Sequence, residues 1–265
     1  MARPSGSEPT SATSPRAKIP RASIVIPAYN EGDDIVPGLD RIFEAVTVDA
    51  EVIVVVDTAD DTTVAPVVAY AKHEPRLRYE INDYGRGPAY AIRYGIDRAS
   101  APTVVVTMSD GCDDPRQIDE LVKLVERGVV VAAASRYMPG GQQVGGPRLK
   151  TFLSRTAGKS LHLLTDTGTR DATNSFKAYN RQFVQDVGID SKDGFEIGLE
   201  LTAKARRLRM PVAEIPTIWL DRTFGQSNFK LSKWIPKYLR WYRFAFGPKL
   251  SVEQLRSKTS SKSKP

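Results

Sequence analysis

Residues 102–115 read PTVVVTMSDGCDDP, an apolar run followed at once by a group of carboxylates. The run has the composition of a buried strand, and Asp110, Asp113 and Asp114 come where that strand should end. In open α/β sheets, ligands bind at the carboxyl ends of the strands, so carboxylates at this edge indicate a ligand site. The alternative is that they cap the helix that the apolar spacing over 118–125 predicts.

Two earlier segments have the same organisation. Residues 23–27 (SIVIP) run into AYNEG at 28–32, and residues 51–56 (EVIVVV) run into DTADDTT at 57–63. A helical spacing of apolar residues follows each of them. Three repeats of strand, polar loop and helix predict an α/β fold in a single domain, with a mostly parallel central sheet and helices on both faces. The carboxyl edge of that sheet should carry the site.

Further elements are predicted from the periodicity of the remaining chain. They are strands at 77–82, 129–134 and 212–220, and helices at 89–99, 149–164, 195–208 and 230–246. The Gly-rich segment 139–146 is predicted to be mobile. Residues 85–87 (GRG) lack the third glycine and the early position of a dinucleotide-binding fingerprint.

The net charge of +7 is concentrated at the two ends of the chain. We predict disordered basic tails at 1–21 and 249–265, both rich in Ser and Lys or Arg, around a domain at 22–248. The body between the tails is close to neutral. This argues against nucleic acid as a partner of the folded part.

Cysteine and hydropathy indicate the compartment. Cys112 is the single cysteine, which excludes an internal disulfide framework and fits a reducing compartment. Without a nearby His it is a poor candidate for a nucleophile. We find neither an apolar run of membrane-spanning length nor a signal peptide, so we expect a cytoplasmic protein whose membrane contact is peripheral.

An ordered set of motifs now identifies a resemblance. The chain resembles a family 2 glycosyltransferase of GT-A fold in IVIPAYNE (24–31), VVVD (54–57), GRG (85–87), SDGCDDP (109–115), SRY (135–137) and DATNSFKAY (171–179). It is similar to the dolichol-phosphate mannose synthase branch in GFEIGLEL (194–201), EIP (214–216), DR (221–222) and GQS (225–227). The resemblance covers residues 22 to 246. It implies an inverting, metal-dependent transfer of a sugar, mannose from GDP-mannose, onto a polyprenyl phosphate.

The resemblance also implies roles for individual residues. The nucleotide-sugar would be held by Pro27, Tyr29, Glu31, Asp57, Arg86 and Lys230. Asp110 would be the second Asp of the family's Asp-x-Asp motif and would bind Mg²⁺ or Mn²⁺ bridging the diphosphate. Arg136 and Arg222 would contact phosphates. The neighbours of an acceptor phosphate would be Arg170, Asn174 and Ser175.

Three positions depart from the family pattern. Met108 or Ser109 stands where the first Asp of the metal motif is expected, so Asp113 is a candidate for the missing charge. Thr58 replaces the usual acidic or Asn residue after the second strand. Near the end, SNFKL at 227–231 places the lysine two residues later than the family's Ser-Lys-Leu. These departures affect the metal and phosphate geometry.

The acceptor can also be argued from chemistry. A hydroxyl acceptor needs a general base, whereas a phosphate monoester, with a second pKa of about 6, is already a dianion at neutral pH. The two histidines, His73 and His162, lie outside the motifs, which favours a phosphate acceptor. Asp193, Glu196 and Glu200 are possible bases, or alternatively helix caps and ion-pair partners.

Other interpretations stay open. The basic, aromatic segment 230–246 predicts either contact with an anionic lipid surface or a helix packed on the domain. The same fold could use another UDP- or GDP-linked donor and a soluble or glycan acceptor. A sugar-nucleotide nucleotidyltransferase is disfavoured because no Gly-rich, basic loop follows the first strand. A non-catalytic binder would depend on the basic tails.

Overall fold

The computed structural model describes residues 19–192, 194–221 and 231–260. Its strands are β1 (Ala22–Pro27), β2 (Ala50–Val56), β3 (Leu77–Ile81), β4 (Thr103–Val106), β5 (Val131–Ser135), β6 (Gln142–Val144), β7 (Lys177–Asn180), β8 (Val212–Pro216) and β9 (Ile218–Leu220). Its helices are α1 (Val36–Ala45), α2 (Val64–Ala71), α3 (Pro88–Arg98), α4 (Ile118–Glu126), α5 (Arg148–Thr165), α6 (Arg181–Val187), α7 (Ile197–Leu208), α8 (Leu231–Ala245) and α9 (Val252–Ser260).

Seven strands form the central sheet in the order β3-β2-β1-β4-β7-β5-β8. Its strand pairs are parallel except for those of β7, which runs antiparallel to β4 and β5. The predicted mostly parallel sheet is therefore confirmed. Strand β7 was not predicted, because its four residues are too few to show a period and three of them lie within the 171–179 motif.

Helices cover both faces of the sheet, as predicted. Alternate residues of a strand point to opposite faces, so Ile24 packs with α1, α2 and α4, whereas Val25 packs with α3, α6 and α7. A third cluster joins α5, α7 and α8 through Leu161, Leu199 and Trp241. The sheet is thus buried on both faces, so polar groups for a site are presented by the loops at the ends of its strands.

The segment predicted as one strand at 212–220 is two strands in two sheets. Residue Thr217 separates β8, which pairs with β5, from β9, which pairs in parallel with β6. The Gly-rich segment at 139–146, predicted to be mobile, supplies β6. These corrections share one cause, because β6 and β9 are three residues each and exist only through their pairing with one another.

The C-terminal prediction also needs a correction. In place of a tail from residue 249, the chain forms α9, whose Leu255 is fully buried with Leu250 in the α3, α6 and α7 core. Leu250 N donates to Arg207 O at 2.8 Å. Two buried leucines in a polar, basic segment give too weak a periodic signal to predict this helix. Residues 1–18 lie outside the described residues, so the N-terminal tail stays a prediction.

Candidate active site

The loops after β1 and β2 are joined by hydrogen bonds at the carboxyl edge of the sheet. Asn30 N donates to both carboxylate oxygens of buried Asp61, at 3.1 and 3.0 Å, and Glu31 N donates to Thr63 Oγ1 at 3.0 Å. Asn30 adopts a left-handed φ of 52°, which Asn tolerates better than most residues. Asp61, absent from the predicted site, therefore fixes the loop that carries Tyr29 and Glu31.

The loop after β4 is joined to these two loops through Ser109. Ser109 Oγ donates to Glu31 Oε1 at 2.9 Å. The structure thus brings together the predicted nucleotide residue Glu31 and the predicted metal loop. The Tyr29 ring, 67 % exposed, stands at the same edge and can stack on a base.

Asp57 organises the loop in front of α3. Its carboxylate accepts hydrogen bonds from Asn82 Nδ2 at 3.1 Å and from Gly87 N at 2.8 Å. Gly87 has a φ of 108°, which favours glycine at this turn. Asp57 therefore holds the Gly85–Gly87 loop, on which Arg86 is exposed beside the edge.

The two candidate metal carboxylates have different environments. Asp113 is buried, and its Oδ2 accepts from Thr107 Oγ1 at 3.0 Å and Met108 N at 3.3 Å. Burial, and then the charge of Asp110, raise the pKa of Asp113 to about 7. Asp110 is half-buried and accepts from Cys112 N at 3.1 Å. Asp113 thus holds its own loop, and Asp110 is the better placed of the two to meet a ligand.

Two further contacts shape this loop. Arg41 Nη1 donates to Gly111 O at 2.6 Å, and Arg41 Nη2 donates to Asp113 O at 3.2 Å. The capping alternative applies to Asp114, whose side chain accepts from Arg116 N at 3.1 Å at the helical turn that precedes α4. Asp114 is therefore a cap, Asp113 is buried, and Asp110 is half-buried at the predicted metal position.

The donor set fits a metal that the substrate helps to coordinate. Within the described residues, no group of three or more His, Cys, Asp or Glu side chains is placed to hold an ion. Mg²⁺ commonly binds through one or two carboxylates plus substrate phosphates and water, which one carboxylate at Asp110 can satisfy. A cation there would also relieve the repulsion between Asp110 and Asp113 that raises the pKa of Asp113.

Arg136, at the end of β5, is paired with a residue that sequence reasoning did not assign. Its Nε and Nη2 donate to Asp171 Oδ2 and Oδ1 at 2.7 and 2.9 Å, and its backbone N donates to Oδ2 at 3.0 Å. Asp171 is fully buried. Burial opposes both charges, but each ion holds the other charged: the pKa of Asp171 is lowered and that of Arg136 is raised. The signal for Asp171 was its place at the head of the 171–179 motif.

Lys177 is a second residue that was missed. It is fully buried on β7, and its Nζ donates to the carbonyls of Asp171 at 3.3 Å, Ala172 at 3.2 Å and Asn174. Burial lowers its pKa to about 7. Lys177 therefore holds the turn that carries Asp171. A lysine within the SFKAY stretch was the available signal.

The three predicted acceptor residues lie in or beside this turn. Arg170 Nη1 donates to Glu214 Oε1 at 2.5 Å, and its backbone N donates to Glu214 Oε2 at 2.7 Å. Asn174 is buried, and its Nδ2 donates to Ala134 O at 2.9 Å. Ser175 is half-buried beside the core. Arg222 and Lys230, the other predicted phosphate contacts, lie outside the described residues.

The two described candidates for a general base, Glu196 and Glu200, are buried in the fold. Fully buried Glu200 accepts from Asp190 N at 2.6 Å and Ser191 N at 2.9 Å, and it pairs with Lys204 Nζ at 2.6 Å. Its contacts match the ion-pair alternative. Glu196 is also buried, and with burial it raises the pKa of Tyr238 on α8. Asp193 lies outside the described residues.

A cleft of about 550 Å³ lies between α1, the 110–116 loop and β9. It is lined by Cys112, Asp113, Asp114, Ile218 and Leu220 among others. Tyr29, Asp57 and Asp110 do not line it. The cleft thus adjoins the predicted metal loop at Asp113 but is not lined by the residues predicted to hold the base and ribose.

The mostly parallel sheet, with carboxylates at the carboxyl ends of its strands, defines an α/β domain that carries a ligand site at this edge, and known proteins identify its family. Residues 23–188 match the family described as glycosyl transferase family 2, which is more than half of the chain. The chain belongs to glycosyltransferase family 2.

Two curated relatives cover most of the chain. The polyprenol monophosphomannose synthase of Mycolicibacterium smegmatis is 27 % identical over 230 residues, covering 81 % of this chain and 86 % of the relative. The undecaprenyl-phosphate mannosyltransferase of Micrococcus luteus is 27 % identical over 215 residues, covering 78 % and 87 %. Both support the branch that the motifs indicated.

Solved structures confirm the GT-A fold. The mannosyltransferase PcManGT of Pyrobaculum calidifontis, in complex with GDP-Man and Mn²⁺, superposes with a TM-score of 0.59 at 19 % identity, covering 95 % of this chain and 72 % of that one. Glucosyl-3-phosphoglycerate synthase of Mycobacterium tuberculosis, with Mn²⁺, UDP-Glc and phosphoglyceric acid, gives a TM-score of 0.64 at 18 % identity, with coverages of 91 % and 88 %.

Proposed function

We propose that this glycosyltransferase moves mannose from GDP-mannose onto a polyprenyl phosphate, with a divalent cation and inversion at the anomeric carbon. The observation that carries the proposal is the edge at which the loops of β1, β2 and β4 meet, where Asp110 is half-buried next to buried Asp113. The printed names of the two curated relatives supply the substrate class.

The donor is assigned to the edge between Tyr29 and Asp110. Tyr29 would stack on the base, while Pro27, Glu31 and Asp57 would line the base and ribose. Arg86, exposed on the loop that Asp57 holds, would approach the phosphates. Mg²⁺ or Mn²⁺, held by Asp110 with the diphosphate, would supply positive charge to the departing nucleotide.

Basic side chains would complete the phosphate-binding end of the site. Arg222 and Lys230 are proposed as diphosphate contacts, as the motif predicts. Arg136 would contribute its charge from its fixed pairing with Asp171, which prevents the guanidinium from turning away. Asp113 acts in this proposal through the loop that it holds, not as the principal metal ligand.

The acceptor would enter beside the 170–175 turn. A polyprenyl phosphate is a dianion whose attacking oxygen needs no general base, which agrees with the structural contacts of buried Glu200. Arg170, Asn174 and Ser175 are proposed to shape this end. Asn174 would shape it by holding the turn against β5, since its side-chain amide donates a hydrogen bond to the β5 backbone.

We also propose that the enzyme works at the cytoplasmic face of a membrane as a peripheral protein. A polyprenyl phosphate acceptor is embedded in lipid, whereas a nucleotide-sugar is water-soluble, so the site must face both. Within the described residues, no helix is long and apolar enough to cross a bilayer.

The test is a transfer assay with labelled GDP-mannose, UDP-glucose and related donors, Mg²⁺ or Mn²⁺, and a polyprenyl phosphate, with Asp110→Asn beside the wild type. We expect label from GDP-mannose to reach the organic phase only with metal, and Asp110→Asn to lower the rate by about 100-fold or more. Asp114→Asn is the matched control from the same loop and should stay within about threefold of the wild type, because Asp114 caps a turn.

Each contrary result has its own meaning. Transfer from UDP-glucose alone would overturn the donor. Metal-dependent donor hydrolysis without transfer to lipid would overturn the acceptor and favour a soluble one. Full activity of Asp110→Asn would overturn the metal assignment.

A further inference from the structure

Strand β3 is the terminal strand of the central sheet, with β2 as its neighbour. Arg76 O accepts a hydrogen bond from the β2 backbone at 2.8 Å, and Asn82 N donates one to it at 2.8 Å, so the even-numbered residues of this segment face β2. Because backbone groups alternate in direction along a strand, those of Tyr79 and Ile81 face away from the sheet. Within the residues that the structure describes, these outward groups make no hydrogen bond.

The opposite terminal strand, β8, is protected by its own chain. Gly168 packs so closely on it that an added Cβ would lie 2.6 Å from Val212 O. The Glu214 side chain accepts from Arg170 N at 2.7 Å, and Pro216 has no N–H to donate. Edge strands that lack such protection pair readily with other strands. Strand β3 contains no proline, and its outer edge is available for pairing.

The surface beside this edge is apolar. Leu77 is buried in the core that includes α2, so Tyr79 and Ile81, which alternate with it along β3, lie on the same face. They are 38 % and 40 % exposed, and Val68 on α2 is 39 % exposed. We call this area the β3 edge surface and define it as Ala65, Val68, Ala69, Tyr79 and Ile81, all of which are exposed. An apolar area along an open strand edge favours a protein partner.

The sequence of β3 is complementary to itself. It reads LRYEI at 77–81, with one basic and one acidic residue placed symmetrically about Tyr79. If β3 pairs antiparallel with a second copy about a twofold axis at Tyr79, each Arg78 lies opposite Glu80 of the other copy. The adjacent registers that also join the outward backbone groups place either Arg78 or Glu80 opposite its own copy, and like charges directly opposite are destabilising. Charge therefore selects one register.

The two charged side chains are available for such pairing. Arg78 and Glu80 lie on the other face of β3, where Arg78 Nη2 donates to Arg98 O at the end of α3 at 2.9 Å. Arg78 Nη1 also contacts Glu80 Oε1 of the same chain, and the two side chains are 36 % and 25 % exposed. A second copy would extend this ion pair into four alternating charges around the twofold axis.

We propose that the chain forms a twofold dimer by antiparallel pairing of β3 with β3 of a second copy, centred on Tyr79. The two central sheets then join into one continuous sheet, and the two copies of the β3 edge surface lie on the same face of it. The carboxyl edges of the two sheets point in opposite directions, so each candidate site stays at its own end of the dimer. The inference does not depend on the proposed function.

The first test measures the mass of the full chain by gel filtration with light scattering, over about 1 to 100 µM. We expect a dimer that Arg78→Glu and Glu80→Arg each weaken by at least about tenfold, because each places like charges opposite one another. An equimolar mixture of the two variants should regain the dimer, since the new acidic residue of one chain then faces the new basic residue of the other. Lys123→Glu, at an exposed position of α4, is the control and should leave the dimer unchanged.

The second test is a cross-link at the twofold axis. Directly opposite residues of a hydrogen-bonded antiparallel pair have Cα atoms about 5.5 Å apart, which a disulfide can span. We expect Tyr79→Cys to form a disulfide-linked dimer on mild oxidation, much faster than the exposed control Lys123→Cys. The background is low, because the single native cysteine, Cys112, is 3 % exposed.

A monomer at every concentration would overturn the proposal. A dimer that persists in both charge variants would assign the contact to another surface, and cross-linking of Tyr79→Cys no faster than that of the control would exclude the register. Recovery of the dimer in the mixture supports the proposal and shows that both variants are folded. A mixture that stays monomeric would contradict the pairing of Arg78 with Glu80.

Discussion

At the scale of single residues, the buried charges beside the site explain how the 171–174 turn keeps its shape. Lys177 has no exposed surface and donates to three carbonyls of that turn, while Asp171 faces Arg136. An ammonium group is costly to bury, and the pKa of Lys177 falls to about 7 as a result. Above about pH 7 the Lys177 amine is neutral and has two N–H groups to donate to these carbonyls.

This shift makes stability depend on pH in a defined direction. Between pH 7 and the ordinary lysine pKa of about 10.4, the unfolded chain keeps the proton that folded Lys177 has lost, so the free energy of unfolding rises with pH through this window. We expect Lys177→Met to be less stable overall and to lose this rise. Denaturant unfolding at several pH values from about 6 to 9 measures it, with exposed Lys72→Met as control. An unchanged slope in Lys177→Met would contradict the assignment.

At the scale of elements, a close contact holds α5 against the 170–171 backbone, beside which the acceptor is proposed to enter. Gly158 allows it, since a Cβ there would lie 2.1 Å from Arg170 O and 3.0 Å from Arg170 C. Backbone atoms cannot yield as a flexible side chain can. The position of α5 relative to Arg136 and Asp171 therefore depends on the absence of a side chain at this position.

We expect Gly158→Ala to destabilise the fold by about 1 to 3 kcal/mol, although alanine is the better helix former, because overpacking must displace α5 or the turn. Transfer activity should fall together with stability. Thermal unfolding and the transfer assay measure the two effects, and Thr156→Ala, at an exposed position of the same helix, is the control. A Gly158→Ala protein as stable and active as the control would show that the contact is easily relieved.

At the scale of the whole molecule, the site joins residues that are far apart in the chain. Contacts between Asn30 and Asp61, Glu31 and Ser109, and Arg136 and Asp171 join loops from five strands or turns at one edge. A ligand that binds across these loops binds only the folded state, so it should stabilise the whole domain.

We expect GDP with Mn²⁺ to raise the melting temperature by about 5 °C or more at ligand concentrations near 100 times Kd. The part of the increase that requires metal should disappear in Asp110→Asn. Differential scanning fluorimetry with GDP alone, Mn²⁺ alone and both together measures it, and UDP with Mn²⁺ is the matched ligand control. An equal shift from UDP would contradict the guanine preference, and a full shift in Asp110→Asn would contradict the metal assignment.

Local patterns were enough for the parallel half of the fold. The β-branched runs that end in polar loops at 28–32, 57–63 and 109–115 predict three parallel strands and the edge where a site lies. Both the run and the polar loop can be recognised from neighbouring residues. The same patterns placed Tyr29, Glu31 and Asp57 at that edge. They also raised both alternatives for the acidic loop, of which Asp114 is the cap.

The remaining features of the fold and site depend on residues that are distant in the chain, and only the tertiary structure decided them. The sequence by itself determined the α/β class, the family motifs and the carboxylate edge, since periodicity and composition act over a few residues. The insertion of β7 between β4 and β5, the pairing of β6 with β9, and the contacts of Arg136 and Lys177 were set by the folded chain. A strand of three or four residues or a buried charge is stable only against its partner, and that partner becomes a neighbour only when the sheet has formed.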